Sequence, residues 1–117
     1  MSNVAFSTST LSGDTEVALR EMIGFTKASI NAFEAETNAM ALGDDFSFTQ
    51  VSTQKKEANT QYQIAAREFM ERKDEFVGFG GNLVEELKNL QSELKSLARI
   101  NMNLLEPLLP PNSKAEK

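Results

Sequence analysis

Three stretches of the chain place apolar or small residues every three or four positions, a spacing that returns to one face of a helix. In the first stretch these positions are Leu19, Ile23, Thr26, Ile30, Phe33, Thr37 and Met40. In the second they are Phe48, Val51, Ala58, Tyr62, Ala65, Phe69 and Phe76. Lys55 and Arg72 occupy two more positions of this stripe, where their side chains can bury the aliphatic part and keep the charged end in water. In the third they are Leu83, Leu87, Leu90, Leu94 and Leu97. Each stretch therefore predicts a long amphipathic helix.

Turn and capping residues separate the three stretches. Gly43 suits the left-handed conformation in which many helices end, and the two aspartates after it suit both a turn and the start of the next helix. Ser47 and Gln50 fit a capping box, in which the serine accepts a hydrogen bond from a backbone N–H and the glutamine reaches back. The glycines within 78–81 break the second helix, and Asn82 begins the third. The predicted helices cover about residues 14–42, 47–77 and 82–106.

Helices of this kind are not stable alone, so the three apolar stripes must pack on one another. The short turn after the first helix makes the first two helices an antiparallel hairpin, and no stretch shows the alternation expected of a strand. The predicted fold is all-α: a coiled-coil hairpin plus a carboxy-terminal helix, together a three-helix antiparallel bundle. One domain is expected over residues 14–109, with flexible tails at 1–13 and 110–117.

Charge and composition limit the kinds of partner and the cellular location that are expected. The 117 residues include 17 acidic and 12 basic side chains, with a net charge of −5 and no long Lys/Arg run. Nucleic acid is therefore not an expected partner, and no apolar run approaches the length that spans a bilayer. Cysteine is absent, and residues 1–13 lack the layout of a secretory signal, so a cytoplasmic location is expected.

The residue types available for chemistry are few. The chain has neither histidine nor cysteine, which removes the usual metal ligands and nucleophile–base pairs, so no metal site or cofactor is expected. Neighbouring acids such as Glu85 and Glu86 point in different directions on a helix, and the glycines within 78–81 lack the lysine of a phosphate-binding loop. The sequence thus predicts a protein that is not an enzyme.

The carboxy-terminal segment carries a wider apolar arc than the rest of the third helix. At 100° per residue with Ile100 at zero, the leucines before it fall within roughly 60° to 140°. From Ile100 onwards the apolar side chains cover about twice that arc, which predicts a second surface that covers them. The candidate partner-binding residues are Leu94, Leu97, Ile100, Asn101, Met102, Leu104, Leu105, Leu108 and Leu109.

Two interpretations of this arc remain open. Either the end of the third helix wedges between the other two and is buried within the chain, or another protein covers it as a docked helix. Asn101 falls in the middle of the leucine stripe, so it is either a buried, hydrogen-bonded element that fixes register or a sign that the stripe has left the core. Pro107 and the prolines at 110 and 111 place Leu108 and Leu109 on a kinked or extended tail.

The stretch FEAETNAMALGDDFSFTQVSTQKKEANTQYQ, residues 33–63, resembles the helical hairpin of FlgN-like flagellar export chaperones. The positions that carry the resemblance are Glu36 before the turn, Gly43-Asp44 at the turn and Lys55 after it. The ending LKSLARINMNLLEPLL, residues 94–109, is similar to the Leu- and Asn-rich last helix of that family. The resemblance covers about residues 14–109.

The resemblance implies a cytoplasmic chaperone that binds hook-filament junction proteins, keeps them unassembled and delivers them to the flagellar type III export apparatus. Substrate binding in that family is attributed to the carboxy-terminal helix, which here corresponds to Leu94 through Leu109. Glu36 and Lys55 either meet across the hairpin as a polar contact or lie apart as surface side chains. The alternative function is a structural or adaptor coiled-coil protein, in which the carboxy-terminal leucines form a homodimer interface.

Overall fold

The structure is a computed structural model that describes residues 10–79 and 81–105, and within these ranges every regular element is an α-helix. The helices are α1 (Thr15–Leu42), α2 (Asp45–Glu71), α3 (Lys73–Val77) and α4 (Asn82–Leu105). The all-α prediction is confirmed. The predicted second helix is interrupted at Arg72, so its last turn forms the short α3.

Capping residues explain where α1 begins and ends. The Asp14 carboxylate accepts a hydrogen bond from the N–H of Val17 at 3.0 Å, which satisfies one of the unpaired donors of the first turn. At the other end Gly43 has a φ of 71°, and its N–H donates to the carbonyls of Ala39 and Met40. The predicted end of this helix at Gly43 is therefore confirmed.

The start of α2 differs from the prediction. Asp44 caps this helix, because its Oδ1 accepts from the N–H groups of Phe46 and Ser47 at 3.1 and 3.3 Å. Ser47 lies inside the helix and donates its hydroxyl to Asp44 Oδ2 at 2.8 Å. This bond, with those from the backbone, lowers the pKa of the Asp44 carboxyl. The predicted capping box at Ser47 and Gln50 is wrong, since a carboxylate three residues earlier satisfies the same donors.

Helix α1 is the centre of the bundle. It packs along both α2 and α4, whereas α2 and α4 make few backbone contacts with each other. Glu36 of α1 pairs with Ser52 of α2 near the turn, and Thr15 at the start of α1 pairs with Glu75 of α3. Helix α2 and the α3 that follows it therefore run antiparallel to α1. Every predicted stripe position of α1 and α2 is buried or half-buried, so the period of the sequence identified the inward faces correctly.

The core has two parts. The larger one lies near the α3 end and consists of Leu11, Ala18, Leu19, Met22, Ile23, Ala65, Phe76 and Leu87. The smaller one, nearer the hairpin turn, consists of Ile30, Phe33 and Leu94. Stacked rings support the larger part, where the centroids of Phe69 and Phe76 are 4.3 Å apart. Phe69 belongs to α2 and Phe76 to α3, so this ring contact crosses the break at Arg72.

Residues 10–13 are packed, which corrects part of the predicted tail. Only 3% of Leu11 is exposed, and its backbone N–H and that of Thr10 donate to the Glu68 carboxylate. Arg72 donates to the Ser12 carbonyl at 2.7 Å, and its guanidinium lies over the ring of Phe76. The prediction of a flexible tail is therefore wrong for these four residues. The rest of that segment, residues 1–9, and the predicted tail at 110–117 lie outside the described residues.

Candidate partner-binding site

The predicted binding residues of α4 divide between an inward and an outward set. The inward set holds Leu94, which is buried against Ile30 and Phe33, the half-buried Leu97, and Asn101, which is 2% exposed. These three continue the contact between α4 and α1. Leu105 is half-buried, and Leu108 and Leu109 lie outside the described residues.

The outward set is apolar and about half exposed. The exposed fractions are 51% for Ile100, 49% for Met102 and 48% for Leu104. Ile100 and Leu104 are four residues apart and therefore lie on one flank of α4, while Met102 lies on the other. Within the described residues, the hairpin thus covers only the inward part of the wide arc.

Asn101 is buried and hydrogen-bonded, as the first of its two interpretations requires. Its role in fixing register stays a prediction. Its Nδ2 donates to Thr37 Oγ1 at 3.2 Å and, at 3.5 Å, to the carbonyl of Phe33. Its Oδ1 accepts from the ammonium of Lys55 at 3.2 Å. The Asn101 amide therefore makes polar contacts with both helices of the hairpin. A leucine at this position could make no such contact.

Glu36 and Lys55 meet across the hairpin, which excludes the interpretation as two separate surface side chains. Lys55 Nζ lies 2.8 Å from Glu36 Oε1, and Ser52 donates its hydroxyl to the other carboxylate oxygen. The Glu36 side chain is 2% exposed and that of Lys55 is 19% exposed. The ammonium also lies 5.1 Å from the centre of the Phe33 ring, a cation–π contact.

The environment of Glu36 lowers the pKa of its carboxyl. Burial by itself raises this pKa, but the hydrogen bonds from Lys55, Ser52 and Asn101 and the charge of Lys55 outweigh that effect. Glu36 is therefore held as a carboxylate beside the Lys55 ammonium. A buried charge pair with several additional hydrogen bonds meets the conditions under which such a pair is tolerated in a core.

These residues form one layer, here called the polar layer: Glu36 and Thr37 of α1, Ser52 and Lys55 of α2, and Asn101 of α4. Sequence reasoning identified Glu36, Lys55 and Asn101 but did not connect the third to the other two. It did not name Ser52, although Ser52 precedes Lys55 by three residues on the same helical face. It placed Thr37 on the inward stripe of the first helix without assigning it a polar contact. Because these polar groups are paired in the present alignment and a shift of α4 would separate them, we expect the layer to favour this register of α4 against the hairpin.

Within residues 10–79 and 81–105, no group of acidic side chains is placed to hold a metal ion. No helix in the same ranges combines the length and apolar character needed to cross a bilayer. The acids Glu85 and Glu86 are both exposed, and Glu86 lies 3.6 Å from Lys27 of α1.

Comparison with known proteins gave no relative for this chain. No family model matches it, and neither the curated proteins nor the solved structures contain a significant match. The resemblance to FlgN-like chaperones accordingly rests on the residues quoted above. What a function must explain is the geometry of α4: an end anchored by the polar layer, with apolar side chains exposed on both flanks.

Proposed function

We propose that this protein is a cytoplasmic export chaperone of the FlgN-like kind. It binds flagellar hook-filament junction proteins through the carboxy-terminal part of α4, keeps them unassembled and delivers them to the flagellar type III export apparatus. The observation that supports this proposal most directly is the exposure of Ile100, Met102 and Leu104 beside the buried Asn101.

The exposed side chains supply a useful part of the binding free energy. Full burial of a large apolar side chain contributes about 1.5–3 kcal/mol, so covering the exposed half of each contributes about half that amount. Three such contributions must offset the loss of translational and rotational freedom on association. Leu108 and Leu109, which follow in the sequence, are further apolar residues of the predicted binding segment.

The polar layer favours binding through a different physical effect. It fixes α4 on the hairpin at the level of Asn101, so Ile100 and Leu104 are presented on an ordered helix. A surface that is ordered before association loses less conformational entropy when the partner binds. The buried amide of Asn101 therefore holds Ile100 and Leu104 in position for the client without itself being part of the exposed surface.

The second candidate is an adaptor or structural protein that self-associates through α4. The four-residue spacing of Ile100 and Leu104 favours it, because such a pair can form part of a coiled-coil seam between two copies. Sedimentation of the purified chain at micromolar concentrations separates the two functions. A dimer that dissociates when Ile100 and Leu104 are replaced supports the adaptor, and a monomer that binds a junction protein supports the chaperone.

The double substitution Ile100→Ser/Leu104→Ser tests the chaperone function, with Val17→Ser/Ile64→Ser as a matched control. Both control positions are 45% exposed and lie on other helices. Calorimetric titration with a purified hook-filament junction protein should show an affinity loss of at least about tenfold for the first pair, since about 1.4 kcal/mol corresponds to that factor. The control should bind as the unmodified protein does, and circular dichroism should be unchanged in both.

Failure of the unmodified protein to bind any hook-filament junction protein would overturn the chaperone assignment. Equal losses of affinity in both double variants would show that the junction protein does not bind specifically to α4. Substitution is preferable to truncation after Ala98, because truncation also removes the buried Asn101 and disturbs the polar layer. A truncated chain that no longer binds could then have lost either the binding residues or the polar layer that positions them.

A further inference from the structure

A groove follows the seam between α2 and α4. Its wider part is a cavity of about 370 Å³ lined by Phe33, Tyr62, Leu94 and Ala98, among others. Towards α3 it continues as a cavity of about 260 Å³, whose walls include Phe69, Phe76 and Leu87. Gln91 borders both cavities and donates to the Tyr62 hydroxyl at 3.5 Å across the seam, so the two cavities adjoin at this contact. The two adjoining cavities, with their mainly apolar walls, are together called the groove.

The groove is positively charged in an acidic protein. Lys73 and Lys88 line the narrower part and Lys95 the wider part, and no Asp or Glu lines either of them. Among the described residues, none of these three ammonium groups lies within ion-pair distance of a carboxylate. The net charge of the chain is −5, so this concentration of unpaired positive charge on one seam selects for an anionic partner.

The arrangement of the helices indicates the shape of that partner. Because α1 packs on both α2 and α4 while those two make few backbone contacts, the seam between them is the open side of the bundle. A helix laid along it would occupy the fourth position of a four-helix bundle. Along α4 the groove extends from Val84 to Ala98, which corresponds to roughly 21 Å, or four helical turns.

We propose that this groove binds an amphipathic helix of another protein, one whose apolar stripe is flanked by Asp or Glu residues. Its apolar side chains would pack on Phe33, Tyr62 and Leu87, and its carboxylates would pair with the lysines at the rim. The groove lies on the opposite flank of α4 from Ile100 and Leu104 and on the same flank as Met102, which does not line it. The inference rests on the groove residues alone and therefore goes beyond the proposed function.

The segments of this sequence that lie outside the described residues do not have this chemistry. Residues 1–9 contain no acidic side chain, and residues 106–117 contain Pro107, Pro110 and Pro111, which prevent a regular helix of four turns. A second copy that used the same groove symmetrically would bring its lysines against these lysines, and like charges oppose association. A helix from a different protein satisfies both the apolar and the charge requirement.

Synthetic peptides test the proposal without any flagellar protein. The probe is a helix-forming peptide of about 18 residues with a leucine stripe flanked by glutamates, and its control carries glutamine at every glutamate position. Calorimetry at low salt should show binding of the acidic peptide that is about tenfold tighter than that of the neutral one. NMR shift mapping should place the perturbed residues at Tyr62, Gln91 and Ala98.

Reversing the charge of two lysines at the rim of the groove tests whether they bind the acidic peptide. Lys88→Glu/Lys95→Glu should weaken binding of the acidic peptide by at least about tenfold, because two attractive pairs become repulsive. The matched control Lys56→Glu/Arg67→Glu makes the same charge change on the outer face of α2, where both residues are exposed, and should retain the affinity. Circular dichroism of both variants verifies that the fold is kept.

Three results would overturn the proposal: equal binding of the two peptides, equal effects of the two double variants, or shifts confined to the Ile100 and Leu104 flank. A dimer of the unmodified protein that dissociates on Lys88→Glu/Lys95→Glu would assign the groove to a second copy instead. Peptide binding without any junction-protein binding would leave this inference intact and remove the proposed chaperone function. Junction-protein binding without peptide binding would overturn only this inference.

Discussion

The ammonium of Lys55 lies 2.8 Å from the carboxylate of Glu36, in a place where only 2% of the Glu36 side chain is exposed. Asn101 accepts from the same ammonium at 3.2 Å, so the pair joins the hairpin to α4. A buried ion pair often stabilises a fold little more than two apolar side chains would. Removing one partner is costly, however, because it leaves the other charge buried and uncompensated.

Replacing Lys55 alone should therefore destabilise the protein more than replacing the pair. We expect Lys55→Met to lower the free energy of unfolding by about 3 kcal/mol, because Glu36 then loses its counter-ion. The double variant Glu36→Met/Lys55→Met removes both charges and should be more stable than Lys55→Met. Urea denaturation of the variants measures both differences. A double variant as unstable as the sum of the two single ones would contradict this account.

Glu36 should also make stability depend on pH in the acid range. Its pKa in the folded protein lies below the ordinary value of 4.5, so the unfolded chain binds a proton there more readily than the folded one. The stabilisation is complete above about pH 5 and is lost as the pH falls through 4.5 towards the folded pKa. Urea midpoints measured across this range should fall less steeply for Glu36→Gln than for the unmodified protein.

A neighbouring acid provides the control for that measurement. Glu34 is exposed on the same helix, and Glu34→Gln should leave the pH dependence close to that of the unmodified protein. If Glu36→Gln and Glu34→Gln gave the same profile, the acid sensitivity would not come from the polar layer.

Asn101→Leu tests whether the buried amide determines the register of α4. The substitution continues the leucine stripe but removes the partner of Lys55 and Thr37, so we expect a loss of about 1–2 kcal/mol. It should also broaden or multiply the NMR resonances of α4, since an uninterrupted apolar seam specifies register less strictly. Asn103→Leu is the control, because Asn103 is exposed and its replacement should change stability by less than about 0.5 kcal/mol.

Local periodicity was sufficient to predict the long helices and their inward faces, because a stripe with a period of 3.6 residues must be buried wherever the helix packs. The same reasoning found Asn101, which interrupts its stripe with an amide. It did not find the cap at Asp44, since two aspartates and a serine compete there and the geometry of the turn decides between them. Nor did it find the break at Arg72, whose partner Ser12 is 60 residues away in the chain.

Residues 10–13 should accordingly contribute to stability. Leu11→Ala removes a side chain that is 3% exposed within the larger core cluster, and we expect a loss of about 2–3 kcal/mol. Arg72→Gln should loosen the same segment, because the guanidinium donates to the Ser12 carbonyl. Thermal unfolding gives the stability change, and hydrogen exchange at Thr10 and Leu11 measures the loosening.

The control for Leu11→Ala is Val17→Ala, since Val17 is 45% exposed and its truncation should cost well under about 1 kcal/mol. A loss for Leu11→Ala no larger than that of the control would show that residues 10–13 are not held in the core in solution. If hydrogen exchange at Thr10 and Leu11 were unchanged in Arg72→Gln, Arg72 would not be what holds this segment in place.

Ser29 is the one described side chain whose buried polar atom lacks a hydrogen-bond partner, and Ser29→Ala should stabilise the protein. Its hydroxyl is desolvated in the middle of α1, and removing an unsatisfied buried donor recovers about 1 kcal/mol or more. Ser92→Ala is the matched control, because Ser92 is exposed within α4 and gains only helix propensity, about 0.5 kcal/mol. The difference between the two unfolding free energies isolates the cost of burying the hydroxyl. A destabilised Ser29→Ala would show instead that the hydroxyl is satisfied in solution, for example by a buried water molecule.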